Sequence, residues 1–179
     1  LHTLNNRLNH LYNELIKTKK SIVRVTSDLN DKNLEEDNCF YIGNNSVRTI
    51  FFKLLDSKFL ILTLTDLGTF YLKKSMYKVH YFYFFHSLNS THVAYREHAF
   101  DNYSTIFCTG DYHYNELKVT EKVNNLNKKK LLKCGYPKLD QLINDYYRYK
   151  FKEDKNKVST ILIAPSWGEN AISLDQLKI

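Results

Sequence analysis

The sequence predicts an α/β fold with a mainly parallel, doubly wound sheet. Short apolar strands alternate with amphipathic helices along the 179-residue chain, which is typical of parallel sheets covered by helices. A hydrophobic share of 43% and an aromatic share of 15%, with 5 glycines and 2 prolines, favour a packed core over a disordered chain. No internal repeat is present.

The predicted elements follow in order from hydrophobic periodicity. A first helix, ended by the basic stretch Lys17–Lys20, rests on residues at helical spacing: Leu1, Leu4, Leu8, Leu11, Leu15 and Ile16. Strands are predicted over short runs rich in β-branched, aromatic or aliphatic residues: Ser21–Thr26, Phe40–Ile42, Phe59–Leu64, Val79–Phe85, Thr105–Cys108 and Leu131–Cys134. Further helices are predicted over Asn44–Leu55, over Tyr112–Val123 and from Pro137, a residue that suits a first helical turn.

The domain organisation is predicted from composition. Residues 1–149 form one domain, and a charged stretch poor in aliphatic residues predicts a linker at 150–158. A buried strand, Thr160–Ala164, then begins a second, incomplete domain at 159–179. Because the chain lacks an initiator Met and stops within an apolar-periodic segment, it is interpreted as a fragment of a longer protein.

Charge and motifs narrow the functional classes. The net charge of +7 favours anionic partners such as phosphates, nucleic acid or the inner membrane surface. No Walker loop, G-x-G-x-x-G motif or nucleic-acid-binding module is present, so neither a dinucleotide cofactor nor a nucleic-acid partner is predicted. No apolar run is long enough to span a bilayer. The three cysteines lack a paired spacing and are predicted to be buried free thiols: Cys39, Cys108 and Cys134.

No metal site is predicted. Four histidines recur every six residues, a spacing that cannot place them on one helical face, and zinc-binding motifs are absent: His80, His86, His92 and His98. His86 is a different kind of candidate, because it follows an aromatic strand at the end where parallel sheets bind ligands. It is a candidate general base for a hydroxyl nucleophile. A hydrogen-bonded structural histidine is the alternative.

Polar side chains follow the same strand ends and predict a substrate site. The loops in question begin at Ser27-Asp28, at Thr65-Asp66, at His86 and at Thr109. Their hydroxyl, amide and guanidinium groups suit phosphate oxygens, which arginine can bind with two hydrogen bonds. The candidate substrate-binding residues of this domain are Thr65, Asp66, Ser87, Ser90, Thr91 and Arg96.

Several blocks in fixed order carry a family resemblance: YFFHSLNSTH at 83–92, YREHAFDNY at 95–103, IFCTG at 106–110, CGYPKLD at 134–140 and ILIAPSW at 161–167. Together they resemble the CDP-glycerol glycerophosphotransferases, a family that includes the teichoic-acid primases and polymerases of bacterial surface-polymer synthesis. Thr65–Leu72 fits the same family more loosely.

The resemblance implies a glycosyltransferase-B-type fold with two Rossmann-like halves and the active site between them. It also implies transfer of glycerol phosphate from CDP-glycerol to a hydroxyl of a polymer or lipid-linked acceptor, with release of CMP, at the cytoplasmic face of the membrane. His86 corresponds to the family's catalytic histidine. Ser166 and Trp167 correspond to the start of the second domain and, with Gly168, complete the candidate substrate-binding set.

Two departures from the family pattern leave donor and acceptor open. Ser87 stands where many of the polymerases have glycine, and the lysine often found just beyond it is absent. The alternatives are a nucleotide-sugar glycosyltransferase of the same fold and a non-catalytic domain of a surface-polymer assembly complex. Since the family binds the nucleotide in the second domain, this fragment alone is expected to be inactive.

Overall fold

The computed structural model describes residues 9–18 and 21–148. Contacts divide the chain into two compact units, Leu1–Leu142 and Ile143–Ile179. The predicted start of the first helix, the linker at 150–158 and the second domain at 159–179 lie outside the described residues. Among those residues, no helix is both long and apolar enough to cross a bilayer.

The described elements alternate between helices and short strands, as the periodicity predicts. The helices are α1 (Asn9–Ile16), α2 (Asn45–Leu54), α3 (Thr91–Ala94), α4 (Asp111–Val123) and α5 (Pro137–Arg148), with a short 3₁₀ helix at Lys32–Glu35. The strands are β1 (Arg24–Thr26), β2 (Cys39–Tyr41), β3 (Phe59–Leu62), β4 (His80–Phe84), β5 (Thr105–Cys108) and β6 (Lys130–Lys133). Each predicted strand before residue 149 is therefore confirmed, with ends that differ by at most three residues.

The strands form two parallel sheets rather than the predicted single one. β1 pairs with β2, and β3, β4, β5 and β6 lie side by side in that order. The parallel α/β class is confirmed. The order follows the chain without the reversal that defines a doubly wound sheet, so that arrangement is not seen among the described strands. Periodicity identifies strands, but the choice of neighbours depends on packing between distant residues.

The core of the larger sheet is aromatic. The Tyr83 ring of β4 is fully buried and lies 4.9 Å from the rings of Phe85 and Phe100 and 5.2 Å from that of Tyr103. Edge-to-face pairs at such distances contribute about 0.5–1.5 kcal/mol each beyond their buried area. Two of these rings belong to the segment that follows α3, so the cluster fixes that segment against the sheet.

The three cysteines are free thiols, as predicted. Cys39 and Cys108 are buried, and burial raises the pKa of Cys108 to about 12. Cys134 is exposed, so the prediction of burial is wrong for this residue. It lies directly after β6, where the chain leaves the sheet.

Candidate functional site

The carboxyl ends of β3, β4 and β5 lie at one edge of the four-stranded sheet because the three strands are parallel neighbours. We refer to this edge as the carboxyl edge. Asp66 lies in the loop after β3, His86 lies two residues after the end of β4, and Thr109 directly follows β5. The structure therefore confirms the prediction that Asp66 and His86 belong to loops at the same edge of the sheet.

Asp66 has a constrained conformation at this edge. Its φ of 62° lies in the left-handed region, which aspartate tolerates better than most residues. Its backbone N–H donates to the carbonyl of Ala99 at 2.9 Å, and the Thr65 hydroxyl donates to its Oδ2 at 2.6 Å. These bonds orient a half-buried carboxylate before any ligand arrives.

The same loop is held by the segment after α3. The Asn102 side-chain amide donates to the carbonyl of Leu67 at 2.6 Å, and the hydroxyl of buried Tyr103 donates to the carbonyl of Leu64. Gly68 has a φ of 94°, and a Cβ there would lie 2.8 Å from the Asn102 amide nitrogen. The loop therefore needs glycine at this position both for its conformation and for the approach of Asn102.

A pocket of about 430 Å³ opens beside Asp66. We call it the arginine pocket, because Arg48 of α2 and Arg96 line it together with Thr65 and Asp66. The rest of its wall consists of Leu64, Thr69, Phe70, Tyr71 and Leu72. No carboxylate of the described residues lies within ion-pair distance of either guanidinium. Both arginines can therefore bind an anion from outside.

The arginine pocket combines two kinds of chemistry. Guanidinium groups bind phosphate oxygens with charge-assisted hydrogen bonds, whereas an ionised carboxylate only accepts hydrogen bonds. A ligand that combines an anionic group, such as a phosphate, with a hydrogen-bond donor, such as a hydroxyl, therefore suits both Arg48 and Asp66. The sequence alone does not indicate Arg48, because this residue lies within a helix and outside every recognisable motif.

His86 is half-buried and is not among the residues that line the arginine pocket. The Tyr136 hydroxyl donates to its carbonyl at 2.9 Å, which ties the end of β4 to the loop after β6. The neighbouring Ser87 hydroxyl lies 3.0 Å from the hydroxyl of Tyr95. His86 and Ser87 thus lie at the carboxyl edge without lining the arginine pocket.

Ser90 and Thr91 bind a carboxylate of the protein itself. The Ser90 hydroxyl donates to Glu116 Oε1 at 2.7 Å, while the Thr91 N–H and hydroxyl donate to Oε2 at 2.6 and 2.7 Å. Burial acts to raise the pKa of Glu116, but the three hydrogen bonds outweigh it and lower that pKa below its ordinary value. These hydrogen bonds connect the start of α3 to α4, and the sequence alone does not predict them.

His113 is a further residue that sequence reasoning missed. It is fully buried on α4, and its ring stacks on Phe85 with centroids 3.8 Å apart. A carbonyl only accepts, so Nε2 donates to the Asn89 carbonyl at 2.7 Å, and Nδ1 accepts from the Thr109 hydroxyl at 2.8 Å. Burial lowers the pKa of His113, which matches a neutral ring. Through its bond to the Asn89 carbonyl, His113 holds the His86–Thr91 loop against α4.

The described residues contain no group of three His, Cys, Asp or Glu side chains placed to hold a metal ion. The other histidines of the six-residue series contact separate partners. His80 Nε2 lies 2.8 Å from the Thr105 hydroxyl, and His98 Nδ1 lies 2.7 Å from Asp101 Oδ2. These histidines therefore do not form a cluster that could bind one ligand.

The structure brings together three of the predicted residues, Thr65, Asp66 and Arg96, and adds Arg48 to them. The predictions for Ser166, Trp167 and Gly168 fall outside the described residues. No protein-family model, curated protein or solved structure matches this chain. The function is therefore inferred from the sequence blocks and from the chemistry of the carboxyl edge.

Proposed function

We propose that this chain is part of a transferase that moves glycerol phosphate from CDP-glycerol to a hydroxyl of a growing teichoic-acid-like polymer. The acceptor oxygen bonds to the glycerol-linked phosphorus, the bond from that phosphorus to the bridging oxygen breaks, and CMP leaves. The observation that carries the proposal is the arginine pocket beside a fixed carboxylate at the carboxyl edge. The ordered sequence blocks around His86 support the choice of CDP-glycerol.

Each group has a role that its chemistry allows. Arg48 and Arg96 bind phosphoryl oxygens and stabilise the negative charge that these carry in the transition state. Asp66 accepts a hydrogen bond from a glycerol hydroxyl and so orients the substrate. His86 takes the proton of the attacking hydroxyl, as a neutral imidazole can do near pH 7.

The proposal includes the glycosyltransferase-B-type architecture that the resemblance implies. In that arrangement a second Rossmann-like half binds the cytidine nucleotide, and the described domain supplies the acceptor side. Ser166, Trp167 and Gly168 begin the nucleotide-binding half.

A donor screen on the full-length protein tests the reaction. CMP release is measured with CDP-glycerol, CDP-ribitol, and UDP- and GDP-sugars, each with and without a glycerol phosphate polymer as acceptor. We expect acceptor-dependent CMP release with CDP-glycerol. Turnover of a nucleotide sugar alone would replace the proposal with the glycosyltransferase alternative. The absence of turnover with every donor would support a non-catalytic domain.

A variant separates the role of the arginine pocket from general stability. Arg96→Gln removes one phosphate-binding group from an exposed position, so the fold should tolerate it. Loss of a single transition-state donor typically lowers kcat by about 10²–10³-fold. Arg148→Gln, an exposed change on α5, is the matched control and should leave kcat unchanged. Equal rates for the two variants would contradict the proposed role.

A further inference from the structure

The connection between β3 and β4 presents aromatic and basic side chains to solvent. Its segment Phe70–Lys78 reads FYLKKSMYK, and we call it the basic aromatic loop. Phe70 is 77% exposed, Tyr71 is 75% exposed and Met76 is 66% exposed. Single exposed apolar residues are ordinary, but several within nine consecutive residues indicate an interaction surface.

The loop is held in place, so a loose conformation does not account for this exposure. Leu72, the third residue of the loop, is buried and anchors its first part. Both polar groups of Ser75 bond to the protein: its N–H donates to the Tyr81 hydroxyl at 2.7 Å, and its hydroxyl donates to the Leu55 carbonyl at 2.6 Å. The Met76 N–H donates to the Lys53 carbonyl at 2.9 Å. The exposed rings are thus presented from a fixed backbone.

The charge of this surface has one sign. The sequence contains no Asp or Glu from Leu67 to Arg96, a stretch that includes the whole basic aromatic loop. The loop carries Lys73, Lys74 and Lys78, and no carboxylate of the described residues lies within ion-pair distance of these lysines. An anionic partner would therefore meet uncompensated positive charge beside apolar rings.

We propose that the basic aromatic loop docks this protein on the surface of an anionic lipid bilayer. Aromatic rings partition into the interface between headgroups and acyl chains, and lysines are attracted to anionic headgroups. Protein–protein interfaces are depleted in lysine at their centre, which favours lipid over a protein partner. The inference goes beyond the reaction proposed above and does not depend on the identity of the donor.

Vesicle sedimentation tests the proposal with the full-length protein. The probes are vesicles of phosphatidylglycerol mixed with phosphatidylcholine, and vesicles of phosphatidylcholine alone. We expect binding to the anionic vesicles that weakens as salt is raised, and much weaker binding to the neutral vesicles. No binding to anionic vesicles, or equal binding to both kinds, would overturn the proposal.

Two pairs of loop variants locate the contact. Each lysine near an anionic surface contributes about fivefold to affinity, so Lys73→Gln with Lys74→Gln should weaken binding about 30-fold. Phe70→Ser with Tyr71→Ser removes apolar contact and should weaken binding by about tenfold or more. Unchanged binding by both pairs would show that the loop is not the membrane contact and would overturn the proposal.

Matched controls come from α4 and the turn after it. Val119→Ser with Val123→Ser removes two exposed apolar side chains, and Lys122→Gln with Lys128→Gln removes two exposed charges. Both control pairs should bind anionic vesicles nearly as the unmodified protein does, and thermal unfolding verifies that every variant is folded. A control that weakens binding as much as its loop counterpart would overturn the proposal. Vesicle binding needs no donor, so its failure is distinct from failure of the transferase reaction.

Discussion

Replacing Glu116 tests the link between α3 and α4 at the carboxyl edge. Its carboxylate accepts three hydrogen bonds, one from Ser90 and two from Thr91. Glu116→Ala removes both acceptor oxygens, whereas Glu116→Gln keeps the shape and one oxygen but removes the charge. Glu97→Gln is the matched control, because the Glu97 side chain is 75% exposed and its Oε1 lies 3.7 Å from Nε2 of the exposed His98 ring.

The expected loss in the free energy of unfolding depends on which hydrogen-bond donors lose their acceptor. Thr91 is buried, so its N–H and hydroxyl cannot easily turn to water, and each unsatisfied group costs about 1–3 kcal/mol. The half-buried Ser90 hydroxyl can reach solvent and adds little. Glu116→Ala should therefore lower the free energy of unfolding by about 3 kcal/mol, Glu116→Gln by about 1–2 kcal/mol, and the control by less than about 0.5 kcal/mol.

Thermal unfolding followed by circular dichroism measures these differences. For a domain of this size, a loss of about 3 kcal/mol corresponds to a fall in Tm of roughly 10 °C. Because the pKa of Glu116 is lowered in the folded protein, its stabilisation is complete above the unfolded pKa of about 4.3 and is lost as the pH falls further. The gap between the unmodified protein and Glu116→Gln should thus be constant near pH 7 and narrow below about pH 4. A Glu116→Ala protein that melts with the control would refute the reasoning.

Two further substitutions test the histidines of the edge. His86→Ala should lower kcat of the full-length protein by about 10²–10⁴-fold with unchanged donor affinity. The variant should stay folded, since the Tyr136 hydroxyl bonds to a backbone carbonyl that alanine keeps. A stable variant with near-normal kcat would contradict the general-base role. His113→Phe keeps a ring against Phe85 but leaves the Asn89 carbonyl and the Thr109 hydroxyl without this partner, so Tm should fall by several degrees and amide hydrogens at 87–91 should exchange faster. An unchanged Tm and exchange rate would show that His113 is dispensable for the loop.

The elements of the larger sheet could be predicted because their signals are local. β4 is a run of aromatic residues, and β5 is bounded by a serine and a threonine, so both strands follow from neighbouring residues alone. The separate pairing of β1 with β2 could not be predicted, because each is three residues long and the pattern does not indicate which strand it joins.

The site shows the same division between local and distant information. Asp66 could be placed at the carboxyl edge because it follows a predicted strand. Arg48 could not be associated with it, since the two share a pocket only through the packing of α2 beside that loop. The hydroxyls of Ser90 and Thr91 are predicted to bind phosphate oxygens because of their place after a strand. Their actual partner, Glu116, could not be predicted, because it lies about 25 residues further along the chain.

The order of the strands in the larger sheet bears on how the protein folds. β3, β4, β5 and β6 are neighbours in the same sequence in which a ribosome releases them. Each new strand of this sheet can pair with the strand synthesised just before it, so no strand stays unpaired until a distant part of the chain has been synthesised. Connections between neighbouring strands shorten the loops that must close, which favours rapid folding. Assembly during synthesis can therefore proceed one strand at a time, starting from β3, with the aromatic side chains of β4 covered as soon as β5 and the Phe100–Tyr103 segment emerge.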